Sequence, residues 1–142
     1  MKKKIFSVML ALVMVFNSLL SMTASAAAPG NGGGDTASPM YQYTSSVTSR
    51  LTINGKTATC ESKATGTTSS LIEADQYLER HTFLWWYETV GQWGKSTTTK
   101  SLTMTNTKSN LTGGVYRVRT VFKVYNGTKY ETIEVISDEV TI

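Results

Sequence analysis

The 142-residue chain predicts an all-β fold, one seven-stranded antiparallel β-sandwich, and three observations carry that expectation. From Met40 onward the chain is rich in Thr, Val, Ile, Tyr and Trp, which suit a half-buried pleated surface and lose side-chain freedom in helices. Apolar and polar residues alternate with a period of two, and no window holds apolar residues at helical spacing for three turns. Asn54-Gly55 and Asn126-Gly127 supply two hairpin turns, because a type I′ turn wants positive φ at both central positions. No proline follows Pro39, so no later strand is interrupted.

The strands follow in order. In Tyr43–Ile53, Tyr43, Val47, Leu51 and Ile53 share one parity, opposite Thr44, Ser46, Thr48, Arg50 and Thr52. The return strand, Lys56–Thr65, turns Ala58, Cys60, Ser62 and Ala64 inward. Ser70–Arg80 sets Ile72, Ala74 and Leu78 against Tyr77. Its Leu71–Leu78 stretch tolerates helix, but its length and Thr/Ser-rich start favour strand. His81–Trp93 is an aromatic strand, and Thr97–Thr107 carries Leu102 and Met104 on one face. Val115–Tyr125 gathers Tyr116, Val118, Phe122 and Val124 before the second Asn-Gly turn leads into Tyr130–Ile142.

The start of the chain predicts export. Lys2, Lys3 and Lys4 precede an apolar run over Ile5–Phe16, and Ala24-Ser25-Ala26 forms a small-x-small cleavage site. Asn17 and Ser18 end the run short of the roughly 20 apolar residues that a membrane span needs. The expected organisation is a signal peptide over 1–26, a Gly/Pro-rich leader over 27–39 and a β-sandwich domain over 40–142. The mature protein is expected outside the cytoplasm, with no stable membrane anchor. Cleavage lowers Lys+Arg from 14 to 11 against 10 Asp+Glu, so the net charge falls from +4 to +1. The basic balance thus belongs to the signal, and no nucleic-acid partner is expected. Cys60 is the single cysteine, which excludes an internal disulfide and points to a buried thiol.

Ala58-Thr59-Cys60-Glu61-Ser62, Trp86 and Leu111–Val118 resemble parts of an immunoglobulin-like or fibronectin-type sandwich. They look like its second strand, its core tryptophan and the tyrosine-corner approach to its sixth strand, where a tyrosine hydroxyl ties back to an upstream backbone group. Val118 stands where an immunoglobulin domain has its second cysteine. The precursor also resembles a group of small exported proteins of Gram-positive bacteria. The residues concerned are the lysine-rich signal, Leu78-Glu79-Arg80, Trp86–Trp93 and Gly114–Val118. That likeness implies compartment and fold, and no activity.

Candidate chemistry is sparse. His81 is the only histidine, and Cys60 is expected inward on another strand, so neither a nucleophile–base pair nor a metal cluster is expected. Glu73, Asp75 and Glu79 read as a solvated strand face. Arg117, Arg119 and Lys123 form a basic stripe that Glu131 or Glu134 could balance. Asn110-Leu111-Thr112 and Asn126-Gly127-Thr128 match the glycosylation pattern but serve equally as turns. The dense feature is His81–Trp93. Neighbours on a strand face opposite sides, which puts Trp86 and Val90 in the core and Trp85, Tyr87 and Trp93 on one exposed side if no bulge intervenes. The competing reading has Trp93 closing one end of the core and Tyr87 pairing across strands. The expected function is a non-catalytic secreted interaction module, with no cofactor, binding a protein or cell-envelope glycan through Trp85, Tyr87 and Trp93. The alternative is a secreted antagonistic effector acting on cell envelopes.

Overall fold

The computed structural model describes residues 41–142. The expected signal peptide and leader lie outside them. The described chain is all-β: β1 (Thr44–Asn54), β2 (Thr57–Gly66), β3 (Leu71–Phe83), β4 (Trp86–Thr97), β5 (Ser101–Lys108), β6 (Val115–Asn126), β7 (Lys129–Ile136) and a two-residue β8 (Val140–Thr141). One sheet has the order β1-β2-β5; the other runs β4-β3-β6-β7, with β8 also pairing β6. All pairings are antiparallel. The two sheets stack as a sandwich. β4 joins the sheet of β3, β6 and β7, whereas the fourth strand of a constant-type immunoglobulin domain belongs to the opposite sheet.

Both expected hairpins form, but each turn sits one residue later than the sequence predicts: Asn54 pairs with Thr57 and Asn126 with Lys129, so Gly55-Lys56 and Gly127-Thr128 are the turn residues and only the glycines take positive φ, at 59° and 64°. The last strand is broken at Ser137–Glu139, where the Ser137 hydroxyl accepts from Val118 N–H and so interrupts β7. The aromatic segment is not one strand. β3 runs on to Phe83, Leu84 and Trp85 make a two-residue turn, and β4 begins at Trp86. Pairing of β3 with β6 stops at Arg80–Tyr116, so residues 81–87 extend past β6 as a two-stranded ribbon.

Inward parity on β1, β2, β3, β5 and β6 matches the sequence pattern. Two apolar clusters result. Ala64, Ile72, Leu102, Phe122 and Ile133 belong to one, and Leu51, Ala58, Cys60, Leu78 and Val118 to the other. Between them lies a polar layer to which each of these five strands contributes one residue. Gln76 donates from Nε2 to Ser62 Oγ at 2.6 Å and accepts from Asn106 Nδ2 at 2.9 Å. The hydroxyls of Ser62 and Ser49 both hydrogen-bond Thr120 Oγ1, at 2.7 and 3.1 Å. Gln76 is wholly buried, as is Thr120, yet both are satisfied, which removes the penalty of an orphaned polar group. These bonds link both sheets at mid-height and so fix their relative position. Tyr116 forms the expected corner, its hydroxyl donating to Thr112 carbonyl at 2.7 Å.

Candidate functional site

The ribbon beyond Arg80 carries the least expected feature of the surface. Phe83, Leu84, Trp85 and Trp86 are consecutive, apolar and exposed, at 67, 58, 73 and 62% of full accessibility. Phe83 pairs with Trp86, and Leu84 adopts the left-handed conformation at φ 51°. That position favours Gly or Asn, and leucine occupies it at a cost of about 1–2 kcal/mol. The turn therefore breaks two rules together, since it contains no turn-forming residue and hides none of its apolar side chains. His81 Nε2 donates to the Leu84 carbonyl, and Thr82 Oγ1 donates to the Trp86 carbonyl at 3.2 Å. Both contacts tie the ribbon's base to its tip.

Trp86 is a correction to the sequence-based expectation, which placed it in the core. The alternation argument requires Trp85 and Trp86 to lie on one continuous strand. Trp85 sits instead in the turn and Trp86 opens the returning strand, so neither is held under the opposite sheet. The three aromatic candidates separate. Trp85 stands free at the tip. Tyr87 lies on the outward face, paired with His81, its ring edge-on to the imidazole with centroids 5.1 Å apart. The Arg117 guanidinium covers that ring at 3.4 Å, and the Tyr87 hydroxyl donates to Glu139. This bond to a carboxylate, with some burial, pushes the Tyr87 hydroxyl above the usual tyrosine range. Trp93 turns inward and packs against both apolar clusters. A bulge explains the split. Leu78 pairs with Gly91 and Glu79 with Thr89, so Val90 is an extra residue and the parity of β4 inverts there.

Glu79 also departs from expectation, because it is buried and not part of a solvated acidic face. Its carboxylate accepts from Arg117 Nε at 2.9 Å and from Arg119 Nε at 2.7 Å. Arg119 lies over the Tyr77 ring at 4.3 Å and reaches Glu134 at 3.5 Å. The basic stripe is therefore neutralised mainly by β3, the neighbour of β6 on the side away from β7. Glu73 accepts from the Tyr125 hydroxyl at 2.9 Å, and Arg80 pairs with Glu88 across the ribbon's root. On this face charged and aromatic groups engage one another, and the exposed apolar side chains concentrate at the tip, with the exposed Tyr130 packed on Tyr125 at the other end.

Cys60 is fully buried, and burial pushes its thiol up to about 12. Among the described residues no three His, Cys, Asp or Glu side chains gather as a metal site, and no helix is long and apolar enough to cross a membrane. Sequence reasoning missed Phe83 and Leu84. The available signal was the run of four apolar residues itself, which a strand alternating between core and solvent does not contain. No family model matches the chain, and no curated protein matches it.

Proposed function

We propose that the protein is a secreted, non-catalytic interaction module whose contact surface is the β3–β4 tip, Phe83-Leu84-Trp85-Trp86. The observation that carries this reading is the continuity of those four exposed apolar side chains on a ribbon that extends past β6. Isolated surface apolar residues are ordinary, whereas a contiguous cluster rich in tryptophan is a hallmark of contact sites. The strained Leu84 supports it, since a left-handed leucine is retained where glycine or asparagine would fold more easily. The groups that could serve catalysis are engaged elsewhere: His81 with Leu84 and Tyr87, Glu79 with two arginines, Cys60 in the core.

The test compares the parent with the double variant Trp85→Ser/Trp86→Ser for retention by cell-envelope fractions, glycan arrays and candidate proteins. Retention of the parent alone supports the reading. Equal retention of both proteins by every material would remove the tip from any binding role.

A further inference from the structure

Resting on that docking role, we propose that the β3–β4 tip inserts into the interfacial zone of a lipid bilayer. The shape of the tip is the first argument. Phe83 and Trp86 are opposite partners and share one face of the ribbon, while Leu84 and Trp85 lie in the turn beyond them, so the apolar cluster takes in both a face and the end of the ribbon. A rigid partner offers one surface and covers part of such a cluster. A fluid apolar phase surrounds all of it.

The order of polarity along the ribbon is the second argument. Phe83–Trp86 is wholly apolar. One pair back, past the unpaired Thr82 whose hydroxyl is held by the Trp86 carbonyl, His81 faces Tyr87, aromatic rings with polar atoms. The next pair is the ion pair of Arg80 with Glu88. From Phe83 to Arg80 the strand rises about 10 Å at its usual spacing, close to the depth at which interfacial segments sit, about 5–10 Å. Hydrocarbon, interface and headgroup water are met in that sequence, and tryptophan and tyrosine favour the middle zone.

Charge supplies the third argument, because it identifies the kind of lipid surface. Arg80 and Glu88 cancel at the root of the ribbon, and Arg117 and Arg119 are engaged by Glu79, with Glu134 beside Arg119. No cationic patch flanks the tip among these pairs, so apolar contact drives insertion and a zwitterionic bilayer suffices. The described chain starts at the far end of the sandwich, where Gln42 and Tyr43 N–H groups donate to Glu131 on β7.

The experiment is co-sedimentation of the purified mature protein with phosphatidylcholine vesicles, read together with tryptophan emission and quenching by lipids brominated in the acyl chain. The parent should sediment with vesicles, shift its emission to the blue and be quenched, equally at low and high salt. Trp85→Ser/Trp86→Ser should weaken the partition at least about tenfold, the loss of about 1.4 kcal/mol or more. A second variant, Phe83→Ser/Leu84→Ser, should do the same while keeping both tryptophans, and slow thiol labelling of Cys60 certifies the fold of each. Tip-dependent binding to peptidoglycan, a glycan or a protein, with none to vesicles, overturns the lipid proposal and leaves the docking role standing. Binding only to anionic vesicles that salt abolishes also overturns it, by assigning attraction to surface charge. Vesicle binding that ignores both double variants overturns it too, and absence of any tip-dependent binding removes the docking role as well.

Discussion

Gly91 lies directly beneath the indole of Trp93, where a β-carbon at position 91 would come within 2.6 Å of Trp93 Cη2. The missing side chain lets the ring fold back along its own strand and cover both apolar clusters at the open side of the sandwich. Gly91→Ala should therefore displace the ring and cost about 1–3 kcal/mol, the range for overpacking. Denaturant unfolding read by Trp93 fluorescence, in a background with Trp85 and Trp86 changed to Phe, checks this. An unchanged midpoint would contradict the close approach.

The polar layer across the core should respond to single and combined changes differently. Gln76→Leu leaves the Ser62 hydroxyl without its donor and the Asn106 amide without its acceptor. A loss of about 1–3 kcal/mol is expected. Adding Ser62→Ala and Asn106→Leu removes both orphaned groups while Thr120 keeps its bond to Ser49, and should recover part of that loss, because apolar replacement of both partners is nearly neutral. Equilibrium unfolding of the series measures it. Strict additivity of the losses would mean that these residues do not form one network.

Cys60 makes stability depend on pH in the alkaline range. Burial raises its folded-state pKa to about 12, whereas an unfolded cysteine titrates near 8.5. The unfolded chain therefore gives up this proton first, so the contribution is complete below about pH 8.5 and declines above it by about 1.4 kcal/mol per pH unit. Tyr41, Tyr87 and Tyr125, also raised, act in the same direction in parent and variant alike. The difference between parent and Cys60→Ala isolates the thiol. The variant should be weaker by about 1 kcal/mol at neutral pH and lose less stability between pH 8.5 and 10.5.

At the tip, Trp85→Ala and Trp86→Ala should each leave the unfolding free energy within about 0.5 kcal/mol of the parent, as exposed substitutions do. Leu84→Gly should raise stability by about 1 kcal/mol by relieving the left-handed backbone, while weakening retention by the ligand. A loss of about 3–5 kcal/mol for Trp86→Ala would return that residue to the core.

The inward rows of β2 and β6 were legible because each position alternates without interruption from Ala58 to Ala64 and from Tyr116 to Val124. Both hairpins were legible because the glycine that turns the chain is a local signal, although the turns fall on Gly55-Lys56 and Gly127-Thr128, one residue later than expected. The β3–β4 turn was not, since Leu84-Trp85 carries no turn residue and is held by pairing that its own sequence does not announce. Parity then misled twice, at Trp86 because of that turn and at Trp93 because of the Val90 bulge. Glu79 was misplaced for a related reason. Its burial comes from Arg117 and Arg119, about forty residues away, and nothing in its neighbourhood forecasts that pairing. The buried Gln76 has the same origin, in partners on two other strands, Ser62 on β2 and Asn106 on β5.

Collisional quenching of tryptophan emission in a Trp93→Phe variant bears most directly on the claim that the tip is the contact surface, because Trp85 and Trp86 are then the only emitters. In the free native protein a neutral quencher such as acrylamide should reach them almost as readily as in the unfolded chain. With vesicles or another retained ligand present, quenching should fall severalfold while Cys60 stays protected. Poor quenching in the free protein would mean that the tryptophans are covered by the fold itself, and unchanged quenching in the bound protein would mean that the ligand sits elsewhere.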